Sequence, residues 1–228
     1  MIRYAGVASA VVLTVVLACS VAHGAPSLYG PTGILFTPNA EVVGASSLDI
    51  GAHFMEEDGG DMSAYKATVG VCDRAEVTGT LFSLENGGDE DEFLVSAKAQ
   101  VVSGEDNGLS VAIGGMDIFE QVAANAMWYV VATKTMGDAE ADERVVQASV
   151  GLLISEHIDM DDDDDAQSFA SIAAELCDRV TALVEMFGED VSFGGRVSVG
   201  DNFNVDVASV EFYGHREFLV GGAYHVSF

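Results

Sequence analysis

Along most of this chain, apolar residues recur at every second position, and a chain patterned in this way has two unlike faces that a β-sheet can present and a helix cannot. The closing stretch shows it most plainly. Phe218, Val220, Gly222, Tyr224, Val226 and Phe228 fall on one side, and Leu219, Gly221, Ala223, His225 and Ser227 on the other. Upstream, Leu48, Ile50, Ala52 and Phe54 alternate with Ser47, Asp49, Gly51 and His53, and Val191, Phe193, Gly195 and Val197 alternate with Ser192, Gly194, Arg196 and Ser198. From Ser47 onward no stretch keeps a clean 3.6-residue period. The pattern predicts about twelve strands, near 47–55, 63–72, 75–84, 93–103, 109–118, 125–136, 145–155, 168–176, 180–187, 191–199, 203–212 and 218–228. Most are close to the ~9–11 residues that a tilted strand needs to cross a bilayer.

The first residues set the compartment. Arg3 supplies a short positive region, an uncharged apolar run extends from Ala5 to Ala18, and Ala22-His23-Gly24 fits the small-residue rule for cleavage before Ala25. That run is shorter than the ~20 residues of a spanning helix, so residues 1–24 are expected to be a removed signal peptide. A competing cut at Val16-Leu17-Ala18-Cys19 would lipidate Cys19, although Leu17 fits poorly there. Losing Arg3 moves the formal charge from −28 to −29, because residues 1–24 contain no acid. Such acidity excludes a nucleic-acid partner, which needs a basic footprint. It does not imply disorder, because 49% of the residues are hydrophobic. Charge and apolar residues must therefore occupy different faces.

The connections sort by parity. One set is on balance tight and includes Cys72-Asp73-Arg74, Cys177-Asp178-Arg179 and Gly200-Asp201-Asn202; the other includes the acidic stretch 155–167. Short periplasmic turns and longer outer loops are the habit of outer-membrane barrels, so the tight set is expected in the periplasm. Residues 25–46, broken by Pro31, Pro38 and three glycines, are expected to be a lead-in or plug, with the barrel proper at 47–228. The terminal Phe228, with Val220, Tyr224 and Val226 on its face, is the kind of edge that barrel-assembly machinery receives.

Alternation also nominates the residues that point away from lipid: Asp49, His53, Lys66, Glu76, Lys98, Lys134, Glu175, Glu185, Arg196 and Asp206. An Arg or Lys facing mid-bilayer would cost ~2–4 kcal/mol, which is the reason to turn them inward. They would either select solutes or pair across strands to fill a narrow barrel, for example Lys66 opposite Glu76. Cys72 and Cys177 fall on the same inward face, half a circumference apart, and are expected to be free, buried thiols. The run Asp159 to Asp165 offers Asp159, Asp161 and Asp163 to a divalent cation, but its spacing misses the EF-hand pattern, and a solvated charge run is the simpler reading. No cofactor is expected.

Catalysis finds little support in the sequence. Ser47, Asp49 and His53 share a strand face, but neighbours two apart are ~6–7 Å from one another, too far for a relay. His215 and His225 have no evident acid and nucleophile. Gly-x-Ser-x-Gly and His-Glu-x-x-His are both absent from the sequence.

The stretch Tyr29-Gly30-Pro31-Thr32-Gly33-Ile34-Leu35-Phe36-Thr37-Pro38-Asn39-Ala40-Glu41-Val42 resembles the opening signature of YjbH-type outer-membrane proteins, with shorter echoes at 96–98, 109–118 and 129–134. The resemblance implies an outer-membrane barrel linked to exopolysaccharide, with no catalytic residues and with a single barrel module in so short a chain. The expectation is thus an all-β, up-and-down antiparallel transmembrane barrel of about twelve strands with a structural or transport role in the envelope. Its partners would be outer-membrane lipid, the assembly machinery and a polysaccharide. The alternative is a soluble or lipid-anchored periplasmic β-barrel that binds a small apolar ligand.

Overall fold

The computed structural model describes residues 25–56, 61–84, 91–104, 107–119, 126–137, 144–155, 166–212 and 215–228. Residues 1–24 and the acidic run with Asp159, Asp161 and Asp163 lie outside the described residues. Two short strands, β1 (Ala25–Pro26) and β2 (Thr32–Gly33), pair with each other. Twelve long strands follow: β3 (Ser47–Glu56), β4 (Met62–Cys72), β5 (Ala75–Leu84), β6 (Glu92–Val102), β7 (Leu109–Met116), β8 (Met127–Met136), β9 (Val146–Ser155), β10 (Ala166–Cys177), β11 (Val180–Phe187), β12 (Asp190–Val199), β13 (Phe203–Phe212) and β14 (His215–Ser227).

Each long strand pairs antiparallel with its sequence neighbours, and β14 returns to β3 with Phe218 opposite Glu56 and Ser227 opposite Ser47. The ring is closed, which leaves no edge with unpaired backbone groups and satisfies the main requirement for crossing hydrocarbon. Alternation carries through to burial. Val150, Phe54, Ile113 and Val207 are among the many large apolar side chains exposed on the outer wall, while Ser96, Thr133, Leu183 and Leu219 are buried inside. A belt of this size around a closed barrel suits lipid rather than water.

The lumen is filled. The chain from Ala25 to Ala40 lies almost wholly buried within the ring, and Val43 is still buried before the chain reaches β3. Two close approaches hold its path. Gly30, at φ +116°, presses against Thr78 and Thr80, a backbone conformation that side chains rarely allow. Gly70 of β4 lies so close to the backbone of Val43 and Gly44 that any Cβ there would collide with it.

The two halves of the lumen differ. Towards the longer connections, which we call the loop end, Met55, Phe82, Leu94, Val210 and Leu219 form one apolar cluster with Leu28, Leu35 and Phe36 of the inner segment. Met116, Tyr129, Val131, Leu153 and Phe169 form a second cluster with Ala40, and Tyr29 packs against both. Towards the tight turns, the turn end, the inward residues are Asp49, Thr68, Glu76, Lys98, Thr133, Ser149, Arg196 and Asn204, all buried and polar.

The outer wall is unequal as well. Phe54, Tyr65, Phe93, Trp128, Phe193 and Phe218 ring the loop end, and Phe54 meets Tyr65 edge-on at 5.9 Å. The turn end carries Phe203, Tyr224 and Phe228, all at the β13–β14 side.

The cysteines depart from expectation. The register slips at Gly70/Cys72 and again at Glu175/Cys177, so alternation breaks just before each thiol. Cys72 and Cys177 are free, as expected, but exposed rather than buried. Their turns stand six strands apart in a ring of twelve, on opposite walls. Each is tied in the same way, with Gln100 N donating to Arg74 O and Ser198 N donating to Arg179 O, both at 2.8 Å.

Candidate functional site

The inner segment is short and irregular, so most of its backbone groups cannot pair with one another and need partners from the wall. The wall supplies them from the nominated charged residues. Glu76 on β5 accepts from Thr32 N at 2.8 Å, Thr32 Oγ1 at 2.6 Å and Val43 N at 2.7 Å. Lys98, opposite it on β6, pairs with Glu76 at 3.1 Å and donates to the carbonyls of Thr32 and Asn39 at 2.8 and 3.2 Å. Glu185 on β11 accepts from three successive amides, Leu35, Phe36 and Thr37, and from Thr37 Oγ1 at 2.7 Å. Such a run of N–H groups around a carboxylate is a nest, an arrangement that holds buried negative charge.

A third anchor is the bidentate pair of Arg196 and Asp206, with Nε–Oδ1 at 2.7 Å and Nη2–Oδ2 at 3.0 Å. The same guanidinium donates to Ile34 O at 3.1 Å, and His53 Nε2 stands 3.8 Å from Asp206. Lys66 donates to Ser27 O. It faces Thr80 rather than Glu76, because Glu76 lies opposite Gly70; the expected Lys66–Glu76 pair does not form. Uncharged groups complete the set. Thr133 Oγ1 accepts from Ala40 N, and Gln100 Nε2 donates to Ala40 O. Nothing in alternation singled these out, because Thr and Gln are ordinary on either face of a strand.

Three nominated residues stand apart from this cluster: Glu175, Lys134 and, at the turn-end mouth, Asp49. Glu175 points inward at the turn end, where it is half-buried and accepts from Val145 N at 2.9 Å. Lys134 is a correction. Tyr129, Val131 and Thr133 hold the inward positions of β8, so Lys134 lies on the exterior with Trp128 and Val130. It sits two residues from the strand end and reaches Asn107 O, so its ammonium group leaves the apolar belt at the rim.

Near the turn end, Gly33, Asn39, Glu41, Gln147, Glu175 and Arg196 border a cavity of about 40 Å³. Ligand pockets run from ~300 Å³, so this one is of water size, and an apolar ligand inside the barrel has no room there. Glu41 belongs to the inner segment and receives a hydrogen bond from Gln147 Nε2. Burial pushes its carboxyl above the usual range, against the lowering effects of Lys98, Gln147 and Arg196.

At the turn-end mouth, register creates a contact that spacing along one strand could not reveal. His225 of β14 lies opposite Asp49 of β3, and its Nδ1 is 2.5 Å from Asp49 Oδ1. Its Nε2 is 2.9 Å from Ser227 Oγ, which is itself 3.3 Å from Ser47 Oγ. His225 thus has both an acid and a hydroxyl, contrary to the expectation from sequence. Val220, Tyr224 and Phe228 are exposed on the outer face at the end of the chain, and Val226, half-buried, shares that face.

No protein-family model matches this chain, and no curated protein matches it. Solved structures do. The structure titled "KdgM porin" superposes with a TM-score of 0.55 at 12% identity, covering 79% of this chain and 99% of that one. "KdgM porin in complex with disordered oligogalacturonate" gives 0.53 at 12% identity, over 80% of this chain and 99% of that one. At such identity the likeness concerns the fold: this chain is a closed twelve-strand antiparallel barrel whose architecture resembles that of the KdgM porin.

Proposed function

We propose that this chain is a transport barrel of the outer membrane, closed at rest by its own residues 25–46, and that its cargo is a neutral, hydroxyl-rich saccharide chain. The observation that carries this reading is the way the lumen holds its plug. Glu76, Lys98, Glu185, Lys66 and Arg196 bind backbone amides and carbonyls of an extended chain, with few demands on its side chains. A track of alternating donors and acceptors of that kind suits sugar hydroxyls equally well once the plug has left. The KdgM porin was solved with oligogalacturonate, a saccharide, in a barrel of the same architecture. The formal charge of −28 here disfavours a polyanion and favours a neutral chain. The segment that resembles YjbH-type proteins, Tyr29 to Val42, is the plug itself, which links the reading to exopolysaccharide export.

On this reading, cleavage before Ala25 frees the plug's leading end, the terminal strand with Phe228 serves the assembly machinery, and the tight turns face the periplasm. A second reading, a permanently filled structural barrel, is favoured by one specific observation: Leu28 and Leu35 are as deeply buried as any core residue. Single-channel recording in a planar bilayer decides between the two. The mature chain is expected to stay closed for long periods, Glu185→Ala is expected to show open steps, and neutral oligosaccharides are expected to interrupt them. If folded Glu185→Ala and Lys98→Ala barrels never conduct, the transport reading fails and the filled barrel stands.

A further inference from the structure

The mouth at the turn end holds a group of side chains that plug binding does not use. Ser227 Oγ, His225 Nε2, His225 Nδ1 and Asp49 Oδ1 form a continuous relay with steps of 2.9 and 2.5 Å, and the acid is buried while the serine is exposed. We propose that this relay is an acyl-transfer site that takes short-chain esters, such as O-acyl groups on a hydroxyl-rich chain passing the mouth. The chain named as substrate rests on the transport reading, whereas acylation of Ser227 by a small ester does not.

The order of groups is what nucleophilic catalysis needs. An imidazole within hydrogen-bond reach of a hydroxyl can take its proton, and a carboxylate on the other ring nitrogen fixes the tautomer that leaves Nε2 free to accept. Here the cross-strand pairing of His225 with Asp49 holds the ring, and although strand positions two apart are ~6–7 Å from one another along the backbone, the long imidazole reaches along β14 so that its Nε2 comes within 2.9 Å of Ser227 Oγ. In the step itself, Ser227 Oγ bonds to the ester carbonyl carbon as its proton passes to His225 Nε2. The C–O bond to the leaving alcohol then breaks, and His225 returns the proton to that oxygen. Water attacks the acyl-serine next, giving its proton to His225 and releasing the carboxylic acid; His225 then reprotonates Ser227 Oγ. Ser227 and His225 would be catalytic, and Asp49 a positioning residue.

Two features narrow the substrate. Among the described residues, the lumen side of the mouth carries small or polar groups such as Ser47, Ser198, Asn204 and Ala223, which suit a short acyl group. The relay also faces the lumen rather than the lipid, so phospholipid chains do not reach it. Turnover should be slow. The amide that follows the nucleophile, a common stabiliser of the developing oxyanion, already donates from Phe228 N to Ser46 O at 2.9 Å. The species to look for is therefore the acyl-serine.

The test uses the full mature barrel in detergent, with p-nitrophenyl acetate and a fluorophosphonate as probes and peptide mass mapping as the readout. Each variant is first checked for the mobility shift of a folded barrel on unboiled gels. One adduct at Ser227 is expected, lost in Ser227→Ala and slowed about a hundredfold or more in His225→Ala. Asp49→Asn should slow it as well, with partial recovery in Asp49→Glu, and p-nitrophenyl esters should react more slowly as the acyl chain lengthens. Ser83→Ala, at the loop end of β5, is the control and should label as wild type. A folded wild-type barrel that stays unlabelled, or labelling at Ser227 that survives His225→Ala unchanged, overturns the proposal and leaves the relay as a clasp on the β14–β3 seam.

Discussion

The loop-end and turn-end halves of this barrel solve the same problem with opposite chemistry. In both, the space inside the ring is shared between the wall's inward side chains and the buried inner segment. The loop end uses apolar contacts between Leu28, Leu35 and Phe36 and a wall of Met55, Phe82, Leu94 and Leu219. The turn end uses buried charges on backbone groups, with Glu76–Lys98 and Arg196–Asp206 as its fixed points. Apolar packing is tolerant of small shifts and costs little to re-form, whereas a buried ion pair is strongly penalised once one partner goes. The inner segment is therefore fixed mainly by buried charge at the turn end, whereas at the loop end apolar packing is joined by one carboxylate, Glu185, on the amides of Leu35, Phe36 and Thr37.

That contrast can be broken from the turn end first. Glu76→Ala leaves Lys98 buried without its carboxylate and orphans the amides of Thr32 and Val43, so a loss of about 3–5 kcal/mol is expected in equilibrium unfolding in detergent. Leu35→Ala removes a fully buried side chain from the loop-end cluster and should cost about 2–4 kcal/mol by the same measurement, with the plug otherwise in place. If Leu35→Ala released the plug and Glu76→Ala did not, the assignment of roles to the two halves would be wrong. The outer wall is probed by Val150→Arg, expected to cost about 2–4 kcal/mol because Val150 lies mid-strand on the lipid face. Lys134→Ala, at the rim, should change stability by under about 0.5 kcal/mol.

The smallest expected effect is a pH dependence. The Glu41 carboxyl is raised by burial, so protonation favours the seated plug; its contribution is present at acidic pH and fades as pH rises through its folded value. Openings should therefore be rarer in acid than at neutral pH. Glu41→Gln should flatten that dependence, and an unchanged profile would remove Glu41 from the account.

How far the sequence could be read follows from what alternation encodes. It assigns a residue to a face, and so it located the strands; Asp49, Glu76, Lys98, Glu185, Arg196 and Asp206 are buried in the structure. It does not encode register. Lys66 and Glu76 share a face on neighbouring strands, yet the turn at Asp73-Arg74 and the slip beside Gly70 put Thr80 opposite Lys66. The same slips carried Cys72 and Cys177 into the open. The relay at His225 was invisible for a related reason: its acid is 176 residues away and meets it only when the ring closes. Lys134 misled because a face argument ignores depth, and a lysine near the rim escapes lipid without turning inward. The path of residues 25–46 inside the ring showed in the sequence only as a broken pattern, since backbone groups held by the wall leave no mark on alternation.

The bond from Phe228 N to Ser46 O joins the last residue of the chain to the residue at which the plug segment becomes β3. Its consequence is topological. The seam that completes the ring is also the doorway through which the plug is tethered, and the tether emerges only at the turn end. On the transport reading, an inner segment that left the lumen would stay anchored at this seam, because Ser46 runs directly into β3 there.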